Sequence, residues 1–285
     1  MITTKKVEKP SIEITKICDA LSELKYRERV IEKTNDYENY FDDLKSLYND
    51  ELKVANSDKE FKPHMKKMYS ERFSNKAYPD VYKFYKAIRS AQAFCPYCNI
   101  FSHQVTQLDH YFPKSKFPSL SITPANLVPI CTDCNTQKKE FYSTDKNSMF
   151  IHPYYDEFIK NPFEYIRCKI VEESNIGFIF YVEKSDEWDD CQFKRATFHF
   201  EKLNLKNTYR TYFEEDFHAF LYEIIDVYLN CGSDTVLEHI ERKMNSYIRS
   251  GTSPWLYAGY KALLESNWFI NVYLKKHIFE KKLKI

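Results

Sequence analysis

Two cysteine pairs, Cys95-Pro96-Tyr97-Cys98 and Cys131-Thr132-Asp133-Cys134, bracket the stretch of sequence that says most about the fold. Two residues between cysteines allow one turn to present both sulfurs to a single ion, and two such pairs complete a tetrahedral zinc site. Such a closed site has no position for water, so we expect a structural zinc on Cys95, Cys98, Cys131 and Cys134. A disulfide pair and a thiol redox motif are the alternatives, and a redox motif normally occurs once in a βαβ setting.

Polar residues suited to hydrolysis lie between and directly after these pairs, and include Asp109, His110 and Asn135. Cleavage of a phosphodiester needs a polarised phosphoryl oxygen, an activated water and a stabilised leaving oxygen. One divalent cation and one neutral histidine can supply all three. Because Asp109 and His110 are adjacent, a regular strand would point their side chains to opposite sides. We therefore expect an irregular turn near Tyr111-Phe112-Pro113.

The order of short motifs resembles the HNH, or ββα-metal, endonuclease superfamily over roughly residues 93 to 140. The motifs are Cys-x2-Cys, Leu108-Asp109-His110, Pro113-Lys114-Ser115, Asn126-Leu127-Val128-Pro129 and Cys-x2-Cys-Asn-x2-Lys. The resemblance implies that Asp109 and Asn135 bind a catalytic metal and that His110 is the general base. It also implies that Asn126 braces the loop holding the base, and that the products carry 5′-phosphate and 3′-hydroxyl ends.

The ligand types indicate which catalytic metal to expect. Many relatives have histidine where this chain has Asn135, whereas a carboxylate and an amide oxygen form a hard, all-oxygen site that suits Mg²⁺ or Mn²⁺. A histidine base predicts activity that rises with pH through about 6.5. Candidate phosphate contacts, with a solvated surface as the alternative, are Lys114, Lys116, Lys138 and Lys139. His152 follows the module closely and either approaches the site or is buried.

The periodicity of the chain predicts a predominantly helical α+β fold with a central zinc-stapled ββα-metal module. We expect an N-terminal helical region at 1–89, the module at 90–150, and a mixed strand and helix region at 151–285. In the module, two strands precede a helix that starts at the second cysteine pair. Further expectations are a connection at 56–74, a helix around 81–91, a hairpin at 165–183 and a third strand at 193–200. In the N-terminal region, apolar residues that recur at helical spacing predict a helix, and they include Tyr37, Tyr40, Phe41, Leu44, Leu47 and Tyr48.

Composition restricts the classes of protein to which the chain can belong. With 285 residues, 43% of them hydrophobic and 17% aromatic, the chain is too apolar for intrinsic disorder. A net charge of +1 provides no global field toward nucleic acid, so binding must come from local patches, a partner or a dimer. Because we see neither an apolar signal nor a run long enough to cross a bilayer, we expect a cytoplasmic protein without membrane association.

Three hypotheses about function follow. The first is a metal-dependent endonuclease that cuts DNA, with RNA as a second candidate substrate. The second is a noncatalytic zinc-ribbon module that binds nucleic acid or protein, since zinc alone fits both hypotheses. The third is a nuclease subunit that acts only with an ATPase or sensor partner in bacterial defence against phages or plasmids. A homo-oligomer is a separate expectation.

Overall fold

The computed structural model describes residues 7–42, 60–159, 161–173 and 175–282. Contacts divide the chain into two compact units, of which one runs from Val7 to Glu157 and the other begins at Phe158. The first unit contains both the expected N-terminal helical region and the expected central module. The architecture is α+β and mostly helical, as the sequence predicts.

The first unit begins with helices whose apolar faces are buried. Their bounds are Ile14–Ala20 (α1), Arg27–Asp42 (α2), Phe61–Lys67 (α3) and Pro79–Ser90 (α4). Proline at the first position of α4 is pre-set for a helix start, because its ring fixes φ and its missing N–H has no partner there. The predicted positions Leu44, Leu47 and Tyr48 lie outside the described residues.

The connection expected at 56–74 is wrong where the structure describes it. Residues Phe61–Lys67 form α3, which continues directly into a π-helical segment, Met68–Phe73. Pro63 does not break α3 because it lies in the first turn, where backbone N–H groups have no intrahelical acceptor. Phe61, Met65 and Phe73 are fully buried, so tertiary packing stabilises a segment that reads as polar overall.

The module follows the predicted order of two strands and a helix. Strand β1 (Gln107–His110) pairs antiparallel with β2 (Leu127–Ile130), and α5 (Thr132–Lys138) begins directly after Cys131. Between the strands, prolines limit the chain to short 3-10 turns at Pro118–Leu120 and Pro124–Asn126. Leu108 and Leu127 belong to the same buried cluster as α1, α3 and α4, so the helices hold the two strands in place.

The second unit combines a hairpin with six helices among its described residues. The elements are α6 (Pro162–Tyr165), β3 (Ile166–Glu172), β4 (Ile176–Val182), α7 (Asp190–Lys202), α8 (Leu205–Cys231), α9 (Ser233–Ser250), α10 (Pro254–Glu265) and, after a π-helical segment at Phe269–Tyr273, α11 (Leu274–Lys282). The predicted hairpin is confirmed, with Ile166 opposite Val182. None of the described helices is both long enough and apolar enough to cross a membrane.

The third strand expected at 193–200 is wrong, because these residues lie in α7. A capping box starts this helix: Asp189 accepts a hydrogen bond from the Gln192 backbone at 2.7 Å, and the Gln192 side chain accepts one from the Asp189 backbone at 2.9 Å. Buried Ala196, His199 and Phe200 recur at helical spacing. The helix-start signal therefore outweighs the strand propensity of the phenylalanines.

A glycine allows two elements of the second unit to approach closely. A Cβ added to Gly259 in α10 would lie 2.2 Å from Cε2 of Phe213 in α8. The ring of Phe213 also packs edge-on against Phe178 of the hairpin, with ring centroids 4.7 Å apart. Gly259 is thus needed for the aromatic core that joins β4, α8 and α10.

Candidate functional site

The four cysteines of the two pairs meet in one buried cluster. The sulfurs of Cys95, Cys98, Cys131 and Cys134 all lie within 4.8 Å of one another. A tetrahedral zinc site with Zn–S bonds of about 2.3 Å requires sulfurs roughly 3.8 Å apart, so a small contraction would suffice. None of the eight cysteines, all of which the structure describes, forms a disulfide. The cluster supports a structural metal such as zinc.

Two hydrogen-bonding groups contact the sulfurs of this cluster. His103 is buried, and its Nδ1 lies 3.7 Å from the sulfur of Cys98 and 3.6 Å from that of Cys131. The backbone N–H of Cys134 donates to the Cys131 sulfur at 3.4 Å. Groups that donate to a ligand atom fix its orientation and stabilise its charged form. The sequence offers no spacing signal for His103, and sequence reasoning missed it.

Asp109 is held from two sides by buried partners. The hydroxyl of Tyr97 donates to its Oδ2 at 2.7 Å, and the Lys138 ammonium lies 3.0 Å from the same oxygen and 3.1 Å from Oδ1. Lys138 also donates to the backbone oxygens of His110 at 3.2 Å and Tyr111 at 3.3 Å. Only 4% of Asp109 is exposed and only 1% of Lys138. The carboxylate is therefore held in one orientation, and the Lys138 ammonium balances its charge.

His110 points away from Asp109, toward the loop between the strands. Its Nε2 lies 2.9 Å from the carbonyl oxygen of Ser121 and, because a carbonyl only accepts, this nitrogen carries the proton. The lone pair is consequently on Nδ1. The ring of Tyr69 packs edge-on against the imidazole, with centroids 4.5 Å apart. The irregular turn expected to redirect Asp109 and His110 does not do so, because β1 pairs regularly through His110 and the two adjacent side chains point to opposite sides of the strand.

Asn126 braces the loop that follows His110. Its Oδ1 accepts from the Phe112 backbone at 2.8 Å, and its Nδ2 donates to the carbonyl oxygens of Phe112 and Leu120, both at 3.1 Å. The side chain is completely buried, and three of its hydrogen-bonding positions are used. The amide thus ties the segment after β1 to the turn before β2.

The candidate catalytic side chains border one cavity of about 430 Å³. Its lining includes Asp109, His110 and Asn135, together with Gln107 from β1. Asn135 donates through Nδ2 to Oε1 of Gln107, so its Oδ1 is the oxygen left for a ligand. Other lining residues come from the π-helical segment and the residue after it, from α4, from the loop after β1 and from the two residues after α5: Tyr69, Ser74, Tyr85, Lys114, Lys139 and Glu140.

The four candidate phosphate-binding lysines occupy different environments. Lys114 and Lys139 line the cavity, whereas exposed Lys116 lies with its ammonium 5.4 Å from the ring centroid of Tyr142. The ammonium of Lys114 lies over the ring of Tyr69 at 4.3 Å. Lys138 does not fit the expected phosphate contact, because its ammonium is buried and directed at Asp109. Its inward direction has a signal in the sequence: it follows the buried Cys134 by one helical turn.

His152 is buried in an aromatic cluster rather than in the cavity lining. Its Nδ1 accepts from the Tyr154 backbone at 3.2 Å, so its Nε2 carries the proton toward the hydroxyl of Tyr37, 2.9 Å away. The ring packs against Phe41 with centroids 4.7 Å apart. Of the two expectations for this histidine, burial is the one that the structure supports.

Burial is the main cause of the pKa shifts of His110 and Lys114. Desolvation, with a smaller contribution from the nearby charge of Lys114, lowers the pKa of His110 to about 3. The imidazole is thus neutral over the whole physiological range, and the expected rise of activity through about 6.5 does not apply to this environment. Burial also lowers the pKa of Lys114, while the carboxylate of Glu140 opposes that effect.

Comparison with known proteins places this geometry in a family. Residues 95–141 match the family model described as HNH endonuclease, which covers the cysteines, both strands and α5. Residues 95–141 are an HNH endonuclease domain. A stretch of 150 residues is also 31% identical to Protein ea31 of Escherichia phage lambda, and it covers 52% of this chain and 50% of that protein. The chain thus spans about half the length of this relative. No solved structure matches the chain.

The HNH domain supports a function in the nuclease family and the binding of nucleic acid. Its donor atoms also allow a test of whether a catalytic cation fits. Asp109 and Asn135 line the same cavity, which has room for an ion with several waters, and they offer a carboxylate and an amide oxygen. Mg²⁺ and Mn²⁺ prefer such oxygens and retain water ligands. The donor set therefore fits, although Tyr97 and Lys138 already use part of the acceptor capacity of Asp109.

Proposed function

We propose that the HNH domain hydrolyses phosphodiester bonds of DNA, with His110 as the general base. The observation that carries the proposal is the hydrogen bond from His110 Nε2–H to Ser121, which leaves the lone pair on Nδ1 of a cavity-lining, neutral ring. A neutral imidazole beside a cavity of this size can remove a proton from a bound water. The hydroxide then attacks phosphorus, the bond to the 3′ oxygen breaks, and solvent returns a proton to that oxygen.

The low pKa of His110 has a second consequence for this proposal. A ring with a pKa of about 3 is unprotonated at neutral pH, so its lone pair is available, but it is a weak base. An anionic phosphodiester in the cavity would favour the protonated ring, because an opposite charge nearby raises the pKa of a histidine. Substrate binding thus strengthens the base at the moment when it is needed.

Asp109 and Asn135 are the residues that would hold a catalytic Mg²⁺ or Mn²⁺. When bound, this cation supplies Lewis-acid stabilisation of charge on the phosphoryl and leaving oxygens. Tyr97 and Lys138 keep the carboxylate of Asp109 in one orientation, and Gln107 does the same for Asn135. Such prior orientation reduces the rearrangement required during the reaction.

Lys114 and Lys139 are the cavity lysines suited to phosphates that flank the cut. Lysine binds phosphate as a compact point charge and requires no fixed angle of approach. Lys114 is half-buried beside the Tyr69 ring, so an anion there would interact with it in a partly desolvated setting. Lys116 and Lys138 are not assigned this role.

A substrate panel tests the proposal. Zinc-loaded protein is incubated with plasmid, linear duplex, single-stranded DNA and RNA, with Mg²⁺, Mn²⁺ or neither. Cleavage that depends on the cation and is lost in Asp109→Asn supports the proposal, whereas the same cleavage by this variant would contradict it. The fragment ends are then typed, with 5′-phosphate and 3′-hydroxyl expected.

One observation favours the noncatalytic alternative. The ion pair between Asp109 and Lys138 is complete without any cation, so the zinc-stapled domain can exist as a binding module alone. Under that alternative the panel yields DNA or RNA binding without cleavage in any metal. Binding without cleavage by intact, zinc-loaded protein would therefore favour it.

A further inference from the structure

The charges around the cavity bear on how a divalent cation is bound, an inference that rests on the proposed function. Two carboxylates, Asp109 and Glu140, and two lysines, Lys114 and Lys139, belong to the described lining. His110 is neutral. Lys138 adds one more positive charge directly behind Asp109, at 3.0 Å from its carboxylate. Among the described lining residues together with Lys138, three positive charges therefore face two negative ones.

This balance is unusual for a site that would bind a divalent cation without a substrate. Hard cations are attracted chiefly by carboxylates, and affinity follows the number of negative ligands. Here the one buried carboxylate at the candidate site already has a cation partner, and the amide of Asn135 contributes no net charge. A phosphodiester would supply the missing negative charge and, in turn, would be attracted by the lysines.

We infer that Lys138 is a positioning residue that makes divalent-cation binding depend on nucleic acid. Its ammonium competes electrostatically with the cation for Asp109, so the cation binds weakly until a phosphate oxygen joins its ligands. Lys138 also holds Asp109 toward the backbone of His110 and Tyr111, which keeps the ligand in place when the cation is absent. The reciprocal effect follows from linkage: the cation must tighten nucleic-acid binding by the same factor.

Binding of Mn²⁺, measured by the electron paramagnetic resonance of the free ion, tests this inference without relying on activity. All proteins are full-length, zinc-loaded and carry His110→Ala, so that a short DNA duplex stays intact. The Mn²⁺ that the duplex binds by itself is measured separately and subtracted. We expect the duplex to lower the dissociation constant of the protein for Mn²⁺ at least tenfold. Asp109→Asn should abolish this extra binding, which locates the ion.

The lysine variants show whether Lys138 is responsible. In Lys138→Met we expect Mn²⁺ to bind at least tenfold more tightly without DNA, and the effect of the duplex to shrink accordingly. Lys138→Arg retains the charge and should preserve the dependence on DNA. Lys86→Met, on the exposed face of α4, is the matched control and should behave like the parent. Zinc content and circular dichroism verify that each variant is folded.

Two results would overturn the inference. One is equal Mn²⁺ affinity with and without the duplex in the parent protein, a comparison that needs no lysine variant. The other is an unchanged Mn²⁺ affinity in folded Lys138→Met. Failure of the proposed function has a different signature, in which no protein binds Mn²⁺ at Asp109 and the wild type cuts nothing. If the wild type cleaves in Mn²⁺ but the protein binds Mn²⁺ equally well with and without DNA, the proposed function stands and only the inference about Lys138 is rejected.

Discussion

His110 donates from Nε2 to the carbonyl oxygen of Ser121 at 2.9 Å, and this bond fixes which nitrogen can act as a base. The acceptor belongs to the backbone of the loop between β1 and β2, so its position does not depend on a titrating side chain. Asn126 braces the same loop through the neighbouring Leu120 carbonyl. The direction of the base is therefore set by a loop that is itself tied down by a buried amide.

The titration of His110 is the first prediction. Its buried ring should stay neutral and show no transition between pH 5 and pH 8, because its pKa is lowered to about 3 by burial. Nuclear magnetic resonance of the ring carbons gives the pKa and the tautomer, and His110→Asn assigns the signal. A titration midpoint of His110 near pH 6.5, or a proton found on its Nδ1, would contradict the prediction.

The first prediction extends to stability, because the pKa of His110 is lowered in the folded protein alone. Below about 6.5 the unfolded chain binds a proton at this histidine whereas the folded protein does not. The contribution of His110 to the free energy of unfolding is thus fully present above pH 6.5 and is lost as the pH falls toward 3. Urea titrations of the wild type and His110→Asn at pH 7 and pH 5 should therefore converge at the lower pH. Equal differences at both values would contradict this prediction.

The second prediction concerns Asn126. Replacement by alanine leaves the N–H of Phe112 and the carbonyls of Phe112 and Leu120 without their buried partner. Each such group costs about 1–3 kcal/mol, so we expect the free energy of unfolding to fall by ~3 kcal/mol or more. Urea denaturation measures this loss, with Asn207→Ala on the exposed face of α8 as the control. Equal stability of the two variants would mean that the amide does not brace the loop.

The third prediction concerns the four-cysteine cluster. Cys131→Ser removes one of four buried sulfurs, and we expect it to lose the metal and to melt at a lower temperature. Zinc binding contributes about 10–16 kcal/mol in zinc-finger peptides, which is comparable to the whole stability of a typical domain, so a large drop in melting temperature is expected. Elemental analysis and thermal melts measure both effects. Exposed Cys231→Ser is the matched control, and one zinc retained by Cys131→Ser would refute the assignment.

The sequence predicts the parts of the site that depend on local spacing. The cysteine pairs, the order of β1, β2 and α5, and the loop position of Asn126 follow from motifs and prolines within one short segment. The ion pair of Asp109 with Lys138 and the hydroxyl of Tyr97 are not evident in the sequence, because they join residues from three separate elements. The lowered pKa of His110 likewise depends on burial in the folded protein, where Tyr69 of the distant π-helical segment packs against its ring.

Errors in the helical parts have a different physical origin. The segment around Pro63 and the phenylalanines of 193–200 both favour other structures by local propensity, yet both are helical. In the first case burial of Phe61 and Met65 decides, and in the second the Asp189 capping box does. The capping signal is readable in the sequence, whereas the burial depends on tertiary packing.

The most direct test of the central claim compares two histidine variants in a plasmid-cleavage assay with Mg²⁺ or Mn²⁺. His110→Ala removes the proposed base, and we expect the cleavage rate to fall by at least ~100-fold while zinc content and fold are retained. His218→Ala removes an exposed histidine of the second unit and should cut like the wild type. Cleavage by zinc-loaded His110→Ala at the wild-type rate would contradict the account.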